Sequence, residues 1–572
     1  MVTASTAFLE ALNEAGVGTI FANWGSDHPG LVEALAEARA HGRPVPRVVT
    51  CPNEMVALSA AHGQAYVSGR PQAVIVHVEC GTQALAGAVH NADKGRAPVL
   101  IFAGASPYTQ GGELKGSRNE FIQWIQDVHD QRGIVRGYMR YDAEIRSGRN
   151  VKQLVHRALQ FAMSDPKGPV YLMGAREVME EEVPPVAIDT GAWTPIAPPA
   201  LPAEGVARIL ADLAGARRPL VVTSYLGRNP AAPPELVRLC DRLGLGVLES
   251  VPNAMNFPAD HPMHVGNQWN QPRQNPALAE ADVILVVDSD VPWISAVSRP
   301  RDGAVIHHVD VDPLKQQMPL WYIGARTSHR ADPAAALRQL ADAADTLDLD
   351  EDRIAERRAF WTRMHRERRA ALDALETEPG REDAINGEYV VAQVRRHLDA
   401  ESIVISEGIS HYHTIGDHLA LTRPGSLYNS GGGSLGWNGG AAIGAKLARP
   451  EATVVALCGD GSYLFSVPSS VHWIARAYET PFLTVVFNNR GWKSPKLSAL
   501  AVHPDGYASR ANALDVAFDP PPDHAGIAAA AGGAAAFTVR RPEDVEAAVA
   551  EGFRVVREER RCAVLDVWVT PL

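Results

Sequence analysis

Two polar residues stand at the ends of neighbouring apolar runs in the last third of the chain. Asp460 follows the run ATVVALCG and lies in a GDGS turn, and Asn489 closes the run PFLTVVFNN. A carboxylate, an amide oxygen and a nearby backbone carbonyl form the all-oxygen ligand set that Mg²⁺ prefers, and phosphate oxygens usually complete its octahedron. The spacing therefore predicts a clamp for Mg²⁺ and a diphosphate, with Asp460 and Asn489 as metal ligands.

The residues around Asp460 fit the same chemistry. Gly459 and Gly461 allow the backbone to approach a phosphate closely, and Ser462 opens a predicted helix whose first amides favour an anion. A lone Gly-Asp-Gly or Asn-Asn usually marks only a turn. Their combination, each at the end of an apolar strand, is what gives the prediction its weight.

The elements that must position these residues are strands and helices in alternation. Short apolar runs closed by small residues predict buried parallel strands, and amphipathic segments between them predict helices. Three such units follow one another at residues 1–182, 200–345 and 386–572. A Pro-rich linker separates the first two, and a highly charged helix within 346–385 separates the last two. The pattern predicts an α/β protein of three domains, each a doubly wound parallel sheet that binds ligands at the carboxyl ends of its strands.

Composition narrows the class of protein. The chain has 572 residues, of which 46% are hydrophobic and 21% charged, with a net charge of −12. This balance argues against broad nucleic-acid binding and against an anionic membrane surface as partner. The five scattered cysteines form no CxxC pair, and the sequence shows neither a signal peptide nor an apolar run of membrane-spanning length. We therefore expect a cytoplasmic protein.

The motif resembles a known cofactor site. GDGS, a helix, a strand and then NN is similar to the thiamine diphosphate motif, and RPGSLYNSGGGSLGWNGGAAIGAKLARPEATVVALCGDGSYLF resembles the acetohydroxyacid synthase / benzoylformate decarboxylase superfamily. The resemblance covers nearly the whole chain. It implies thiamine diphosphate and Mg²⁺ as cofactors, with an N-terminal pyrimidine-binding, a central and a C-terminal diphosphate-binding domain. It also implies the carbonyl of Gly491 as third metal ligand. The chain departs from the family in that Asp460 and Asn489 lie a residue or two further apart than is common, and a longer intervening helix is the interpretation on which Asn489 is preferred to Asn488.

The resemblance also implies roles for four further residues. Glu54, after the strand RVVT and at the start of a helix, matches the glutamate that hydrogen-bonds the aminopyrimidine and promotes deprotonation of the cofactor; without the motif it would be an ordinary first-turn Glu. Gly433 matches a backbone contact to the pyrimidine, and Leu435 the apolar wedge that bends the cofactor. Ser410 matches a diphosphate contact, although a helix N-cap explains it equally well.

Two loops of the first unit resemble the substrate side of benzoylformate decarboxylase. NWGSDHPG and IVHVECGT imply that Ser26 and His77 face the cofactor, where a hydroxyl and an imidazole bind a carbonyl or carboxylate and shuttle protons. The alternative is a turn serine and a buried, satisfied histidine. The second active-site histidine of that decarboxylase, expected in the central domain, has no match, and Trp293 stands in the corresponding region.

The segment after Asn489 points to another activity. Its NN…W…HPDG pattern resembles actinobacterial 2-hydroxyacyl-CoA lyases, with Lys493 where they carry a catalytic glutamate. Such a lysine is a base only if burial depresses its pKa, and is otherwise an anion-binding cation. Arg490, Lys496 and Arg510 are candidates for contacts to CoA phosphates, with a solvated loop as the alternative.

The resemblance implies a thiamine diphosphate-dependent C–C lyase or carboligase that works through a carbanion/enamine on the cofactor. The favoured hypothesis is a 2-hydroxyacyl-CoA lyase-like enzyme releasing formyl-CoA and a carbonyl compound. The alternatives are a 2-oxo acid decarboxylase or acetolactate synthase-like enzyme and, remotely, a non-catalytic binding protein of this fold. A dehydrogenase is disfavoured because no GxGxxG follows a strand. The family places the site between two subunits, so a homodimer or homotetramer is expected.

Overall fold

The computed structural model describes residues 1–321, 323–511 and 514–572. It contains three six-stranded sheets, one in each third of the chain, and all strand pairs within them are parallel. Helices connect successive strands and pack on the sheet faces. The predicted fold class, three doubly wound α/β units, is confirmed.

The N-terminal unit is built around the first sheet. Its strands are β1 (Val2–Thr3), β2 (Thr19–Ala22), β3 (Arg47–Thr50), β4 (Gln72–Val76), β5 (Val99–Ala105), β6 (Tyr141–Ile145), β7 (Val170–Ala175) and β8 (Glu182–Val183). Its helices are α1 (Ala4–Glu14), α2 (Pro29–Ala40), α3 (Glu54–Ser68), α4 (Val78–Ala84), α5 (Ala88–Lys94), α6 (Ile122–Ile125), α7 (Val151–Met163) and α8 (Arg176–Met179). The sheet order is β3-β2-β4-β5-β7-β6, and β1 pairs with β8 outside it.

The central unit has a different strand order, β11-β10-β9-β12-β13-β14. Its strands are β9 (Pro219–Thr223), β10 (Gly246–Ser250), β11 (His264–Gln268), β12 (Val283–Val287), β13 (Val305–Asp310) and β14 (Thr327–Arg330). Its helices are α9 (Ala203–Gly215), α10 (Ala232–Leu243), α11 (Pro276–Glu280) and α12 (Pro333–Asp345). The expected connecting helix follows as α13 (Glu351–Glu376), capped by the side chain of Asp350.

The C-terminal unit repeats the topology of the N-terminal one, with the order β18-β17-β19-β20-β22-β21. Its strands are β15 (Gly380–Arg381), β16 (Ala384–Ile385), β17 (Ile403–Glu407), β18 (Leu427–Asn429), β19 (Val454–Gly459), β20 (Leu483–Asn488), β21 (Ala535–Val539) and β22 (Ala563–Trp568). Its helices are α14 (Gly387–Arg395), α15 (Tyr412–Leu419), α16 (Asn438–Ala448), α17 (Asp460–Phe465), α18 (Pro468–Ala477), α19 (Lys493–Val502), α20 (Tyr507–Ala511), α21 (His524–Gly532) and α22 (Val545–Arg554).

The N- and C-terminal units share one hydrophobic core, and helices α3 and α16 cross at its centre. Glycines let their backbones touch, because a Cβ at Gly63 would collide with the backbone of Ala441 and one at Gly444 with that of Ala60. This close packing fixes the two sheets relative to each other. Among the described residues, no helix is long and apolar enough to cross a membrane.

Candidate active site

The structure brings Asp460 and Asn489 to the same edge of the C-terminal sheet. Strands β19 and β20 are parallel neighbours, with Gly459 paired to Phe487, so the residues that follow them lie side by side. The Asp460 carboxylate is 2% exposed and accepts hydrogen bonds from the backbone N–H groups of Gly461 (2.8 Å) and Gly491 (2.9 Å). Burial raises its pKa, and these N–H groups only partly oppose that.

Asp460 forms no salt bridge with any Lys, Arg or His in the part of the chain described here. A buried carboxylate without a counter-ion is costly, so a cation supplied from outside would stabilise it.

The side-chain oxygen of Asn489 also lacks a partner. Asn489 is 3% exposed, its Oδ1 accepts no hydrogen bond from described residues, and its Nδ2 donates to Ser410 Oγ at 3.4 Å. Asn488, by contrast, donates to Asp566 (2.8 Å) and accepts from the Arg490 N–H (3.1 Å). The orphaned oxygen beside a carboxylate is the chemistry that Mg²⁺ requires, and it supports the prediction of Asn489 over Asn488.

The other predicted clamp residues surround Asp460. Gly491 adopts a positive φ of 149°, and a Cβ there would collide with Val516; its carbonyl, the predicted third ligand, accepts from the Lys493 N–H at 3.2 Å. Ser462 Oγ is buried without a partner. The ring of Trp492 covers Gly461 so closely that any side chain there would collide with it. These residues, together with Gly459, fit a metal-bound diphosphate.

A second group of predicted residues lies at the carboxyl edge of the N-terminal sheet. Glu54 opens α3, after the N-cap Asn53, and burial raises the pKa of its half-buried carboxyl group, although the neighbouring charge of His77 partly opposes this. The Ser26 hydroxyl, in the loop between β2 and α2, is buried without a partner. His77 follows β4 and is the N-terminal flanking residue of α4.

His77 is held by two residues that the sequence did not reveal. Its Nδ1 donates to Asp27 Oδ1, and its Nε2 donates to Gln126 Oε1 at 3.0 Å. Asp27 also accepts from the Val78 N–H at 3.1 Å. The hydrogen bond to Asp27 raises the pKa of His77 in spite of partial burial. Because both ring nitrogens face acceptors, the geometry favours the imidazolium form.

Comparison with known proteins identifies the chain. Three family models match it: thiamine pyrophosphate enzyme N-terminal TPP binding domain at residues 2–134, central domain at 206–340 and C-terminal TPP binding domain at 409–567. The chain belongs to the thiamine pyrophosphate enzyme family. Its dependence on thiamine diphosphate, predicted from the motif, is confirmed at the level of the family.

Individual relatives agree. The chain is 26% identical over 555 residues to a probable 2-ketoarginine decarboxylase of Pseudomonas aeruginosa, which covers 95% of this chain and 90% of the relative. It is 23% identical over 499 residues to the acetolactate synthase large subunit of Lactococcus lactis, with 85% and 80% covered. The structure of a thiamine diphosphate-dependent 4-hydroxybenzoylformate decarboxylase of Rhodococcus jostii superposes over both whole chains with a TM-score of 0.78 at 21% identity. The chain is therefore an enzyme of the decarboxylase/acetolactate synthase type.

The two groups of the thiamine diphosphate enzyme lie at the edges of different sheets. No hydrogen bond or ion pair among residues 1–321, 323–511 and 514–572 joins Glu54, Ser26 or His77 to the Asp460 group. Exposed apolar side chains occur in the segments that contribute to each group: Phe121, Trp124, Ile125 and Val128 around Gln126, and Phe465, Leu497, Val502 and Tyr507 in α17, α19 and α20.

The loop predicted to hold the pyrimidine connects β18 to α16. Leu435 is half-buried in it, and the Gly433 N–H donates to His90 Nε2 at 3.1 Å. Their roles as wedge and backbone contact stay predictions.

Lys493 starts α19 and lies close to Ser410. Its side chain makes neither a hydrogen bond nor a salt bridge with the residues that the structure describes. Its charge adds to burial in lowering the pKa of His411 to about 3, and it also lowers that of His413. The expectation that Lys493 serves the site as a base or as an anion-binding cation stays a prediction.

Two expectations about neighbouring residues are wrong. Arg490 donates to the backbone carbonyl of Asp383 (3.1 Å) and stacks on Trp568 at 4.9 Å, so it is not free for CoA phosphates. Trp293 is buried in the core of the central unit and does not face the site. Lys496 and Arg510 remain exposed or half-exposed on α19 and α20; residues 512–513 of the same segment lie outside the described residues.

The central-unit residue that approaches the site is Trp269, just after β11. Its ring stacks on Tyr412, two residues after Ser410, with centroids 4.5 Å apart and an interplanar angle of 3°. No sequence signal marked this contact, because the two residues lie in different domains.

Proposed function

We propose that the enzyme is a Mg²⁺-dependent 2-oxo acid decarboxylase that cleaves the C–C bond beside the substrate carbonyl. The observation that carries the proposal is the His77 imidazolium, fixed between Asp27 and Gln126 and close enough to Glu54 for the two charges to interact. A fixed cation with a nearby hydroxyl, Ser26, suits a substrate with a carboxylate next to a carbonyl.

When bound, thiamine diphosphate supplies a carbon nucleophile and an electron sink for the bond that breaks. In this proposal Asp460, Asn489 and Gly491 hold Mg²⁺, while Ser410, Ser462, Gly459 and Gly461 hold the diphosphate. Glu54 exchanges a proton with the aminopyrimidine nitrogen through its carboxyl group. The raised pKa of Glu54 favours this role, because it makes the carboxyl group a better proton acceptor than an ordinary glutamate.

His77 and Ser26 act on the substrate. In this proposal a substrate carboxylate or carbonyl oxygen replaces Gln126 Oε1 as the acceptor of the His77 Nε2–H, and this N–H later delivers a proton to the product carbon. Asp27 keeps the ring in the orientation and charge state for that step, as a carboxylate commonly does for a catalytic histidine. Ser26 Oγ, buried without a partner, is free to donate to the substrate carbonyl oxygen.

The second candidate is the 2-hydroxyacyl-CoA lyase. Lys493, without a partner among the described residues and beside His411, is the observation that favours it, since a free cation at the mouth of a site suits a phosphorylated ligand. The commitment of Arg490 to the protein backbone weakens it. Release of formyl-CoA distinguishes the two candidates.

We also propose that two subunits complete each site, as homodimer or homotetramer. Two observations support this arrangement: among the described residues no hydrogen bond or ion pair joins the Glu54 group to the Asp460 group, and the segments that carry each group have exposed apolar side chains.

Product analysis by mass spectrometry tests the function. The enzyme with thiamine diphosphate and Mg²⁺ is given free 2-oxo acids (pyruvate, benzoylformate and 2-ketoarginine) and, separately, 2-hydroxyacyl-CoAs. We expect CO₂ and an aldehyde from a 2-oxo acid, with a loss of roughly 100-fold or more in Glu54→Gln and His77→Gln. Formyl-CoA from the second panel, with no turnover of the first, would replace the decarboxylase by the lyase.

A further inference from the structure

Glu407 is a buried carboxylate that joins three segments around the proposed cofactor site. It is the last residue of β17, three positions before Ser410, and is 1% exposed. Its Oε1 accepts from the Gly436 N–H at 2.7 Å, and its Oε2 accepts from Asn438 N–H at 2.9 Å and Asn438 Nδ2 at 2.6 Å. Asn438 Nδ2 also donates to the Ser462 carbonyl at 3.3 Å.

These bonds fix the loop that carries Gly433 and Leu435. Gly436, at its end, has φ +98°, and a Cβ there would collide with the backbone of Phe465 in α17. Glu407 thus connects the end of β17 to the Leu435 loop and the start of α16, and Asn438 extends this connection to the GDGS turn. A group whose three bonds all go to neighbouring segments controls their relative position.

We propose that Glu407 is a positioning residue that holds the Leu435 loop against the GDGS turn, so that affinity for thiamine diphosphate depends on the charge of this carboxylate. The inference rests on the proposed placement of the cofactor against Gly433 and Leu435. Glu407 acts through the loop and does not itself contact the cofactor.

The surroundings of Glu407 make its charge responsive near neutral pH. Burial raises its pKa to about 7, although the three N–H donors oppose the rise. The titratable groups that face it are Tyr412 of α15 and Cys458 of β19; burial raises the pKa of both, so they stay neutral in this range. No cation pairs with Glu407 in the described part of the chain.

Protonation of Glu407 would weaken the hydrogen bonds that hold the Leu435 loop in place. A carboxylate accepts all three hydrogen bonds, whereas the O–H of a carboxylic acid faces a donor and leaves at least one of them unsatisfied. Cofactor affinity should therefore be full above the pKa of Glu407 and fall as the pH drops through about 7.

Calorimetric titration of thiamine diphosphate into the apoenzyme, at saturating Mg²⁺ and between about pH 6 and pH 8.5, tests this around the pKa of about 7. We expect the wild-type Kd to rise about tenfold towards the acid end. Glu407→Gln should bind about tenfold more weakly at the alkaline end, because its NH₂ group faces a donor, and its Kd should not change with pH.

Two further variants keep the test independent of folding. Asn438→Ala removes one donor, so the midpoint of the pH profile should move to higher pH. Glu249→Gln is the matched control: Glu249 lies in β10 of the central unit and accepts from Asn256 and His264 in a similar way, and its replacement should leave affinity and pH profile unchanged.

A flat wild-type profile, or wild-type affinity and pH dependence in Glu407→Gln, would overturn the inference. If the wild type binds no thiamine diphosphate at any pH, the proposed function itself fails and the inference with it.

Discussion

The carboxyl edges of the C-terminal and central sheets carry similar residues in opposite states. At the C-terminal edge, Asp460 has no cationic partner among described residues, and Asn489 Oδ1 and Ser462 Oγ are buried without partners. At the central edge, three buried aspartates, Asp288, Asp290 and Asp310, are paired with three cations, Arg96, Arg228 and Lys315.

The difference distinguishes the C-terminal edge, which can bind a ligand, from the central edge, which holds domains together. Both lie where parallel sheets usually bind ligands, but the buried carboxylates of the central edge are paired with cations from within the chain. Arg96 comes from the N-terminal unit, and its guanidinium lies 3.2–3.3 Å from all three aspartates. The central cluster therefore docks one domain on another, whereas the C-terminal edge retains the unsatisfied oxygens that a metal and a diphosphate would complete.

The largest expected effect comes from Asp460→Asn. We expect Mg²⁺ affinity to fall by at least about 100-fold, since even residues behind metal ligands are worth roughly 10- to 100-fold, and turnover to fall with it. The free energy of unfolding of the apoenzyme should change little, because removal of a buried charge without a counter-ion offsets the one backbone N–H bond that the amide can no longer accept. Metal titration and urea unfolding measure both; a destabilised apoenzyme would contradict the contrast drawn above.

Arg96→Met should have the converse effect: it should destabilise the protein and leave cofactor affinity unchanged. Removing one partner of a buried ion cluster leaves uncompensated charge, so we expect the free energy of unfolding to fall by about 3–5 kcal/mol. The affinity of the folded fraction for thiamine diphosphate should stay the same. Lys94→Met, two residues away in a partly exposed pair with Asp93, is the control and should cost about 0.5 kcal/mol or less.

Ser462→Ala should increase the stability of the apoenzyme while weakening cofactor binding. Deleting a buried hydroxyl without a partner should raise the free energy of unfolding by about 1 kcal/mol and weaken thiamine diphosphate binding about tenfold. Thr223→Val removes a similar orphaned hydroxyl from the end of β9 at the central edge. It should stabilise the protein without changing cofactor affinity; equal losses of affinity in the two variants would count against a ligand-binding role for Ser462.

The smallest effect concerns the N-terminal edge, where the buried Asp27 is paired with His77, whose side chain is partly exposed. Asp27 raises the pKa of His77, so the stabilising pair is fully present below the usual histidine pKa of about 6.5 and is lost as the pH rises through the raised value. Asp27→Asn should move the alkaline limb of the kcat/KM profile to lower pH. NMR titration of the His77 ring measures the pKa directly, and an unchanged value would exclude Asp27 as its cause.

Interior strands could be predicted from the sequence, but most edge strands could not. The apolar runs of the first unit that predict strands, TIFANWGS, PQAVIVHVECG, APVLIFAGAS and GPVYLMGA, correspond to β2, β4, β5 and β7. The runs RPLVVTSYLG, LGLGVLESV, DVILVVDSD and AVIHHVDVDP in the second unit, and SIVISEG, ATVVALCGDG, PFLTVVFNN and CAVLDVWV in the third, correspond to the four inner strands of their sheets, which are largely buried. The edge strands β6, β11, β14, β18 and β21 were missed, except that Glu54 was correctly placed after a strand, β3. Sequences such as TSHR and YDAEI lack the apolar run because one face or side meets solvent.

The site residues also fall into two sets, those that the sequence predicts and those that it does not. Asp460, Asn489, Ser462 and Glu54 carry a local signal, since each directly follows a strand or lies in the first turn of a helix. Asp27, Gln126, Trp269 and Glu407 do not, because their roles depend on contacts between segments far apart in sequence. Gln126 lies 49 residues after the histidine it holds, and no spacing rule connects them.

If the unsatisfied oxygens around Asp460 form the cofactor site, thiamine diphosphate binding must depend on Asp460 and on Mg²⁺. Calorimetric titration of thiamine diphosphate into wild-type and Asp460→Asn apoenzyme, with and without Mg²⁺, tests it most directly. We expect the wild type to bind one thiamine diphosphate per chain when Mg²⁺ is present and none when it is absent. We expect no measurable binding by the variant under either condition. Equally tight, Mg²⁺-independent binding by both proteins would contradict it.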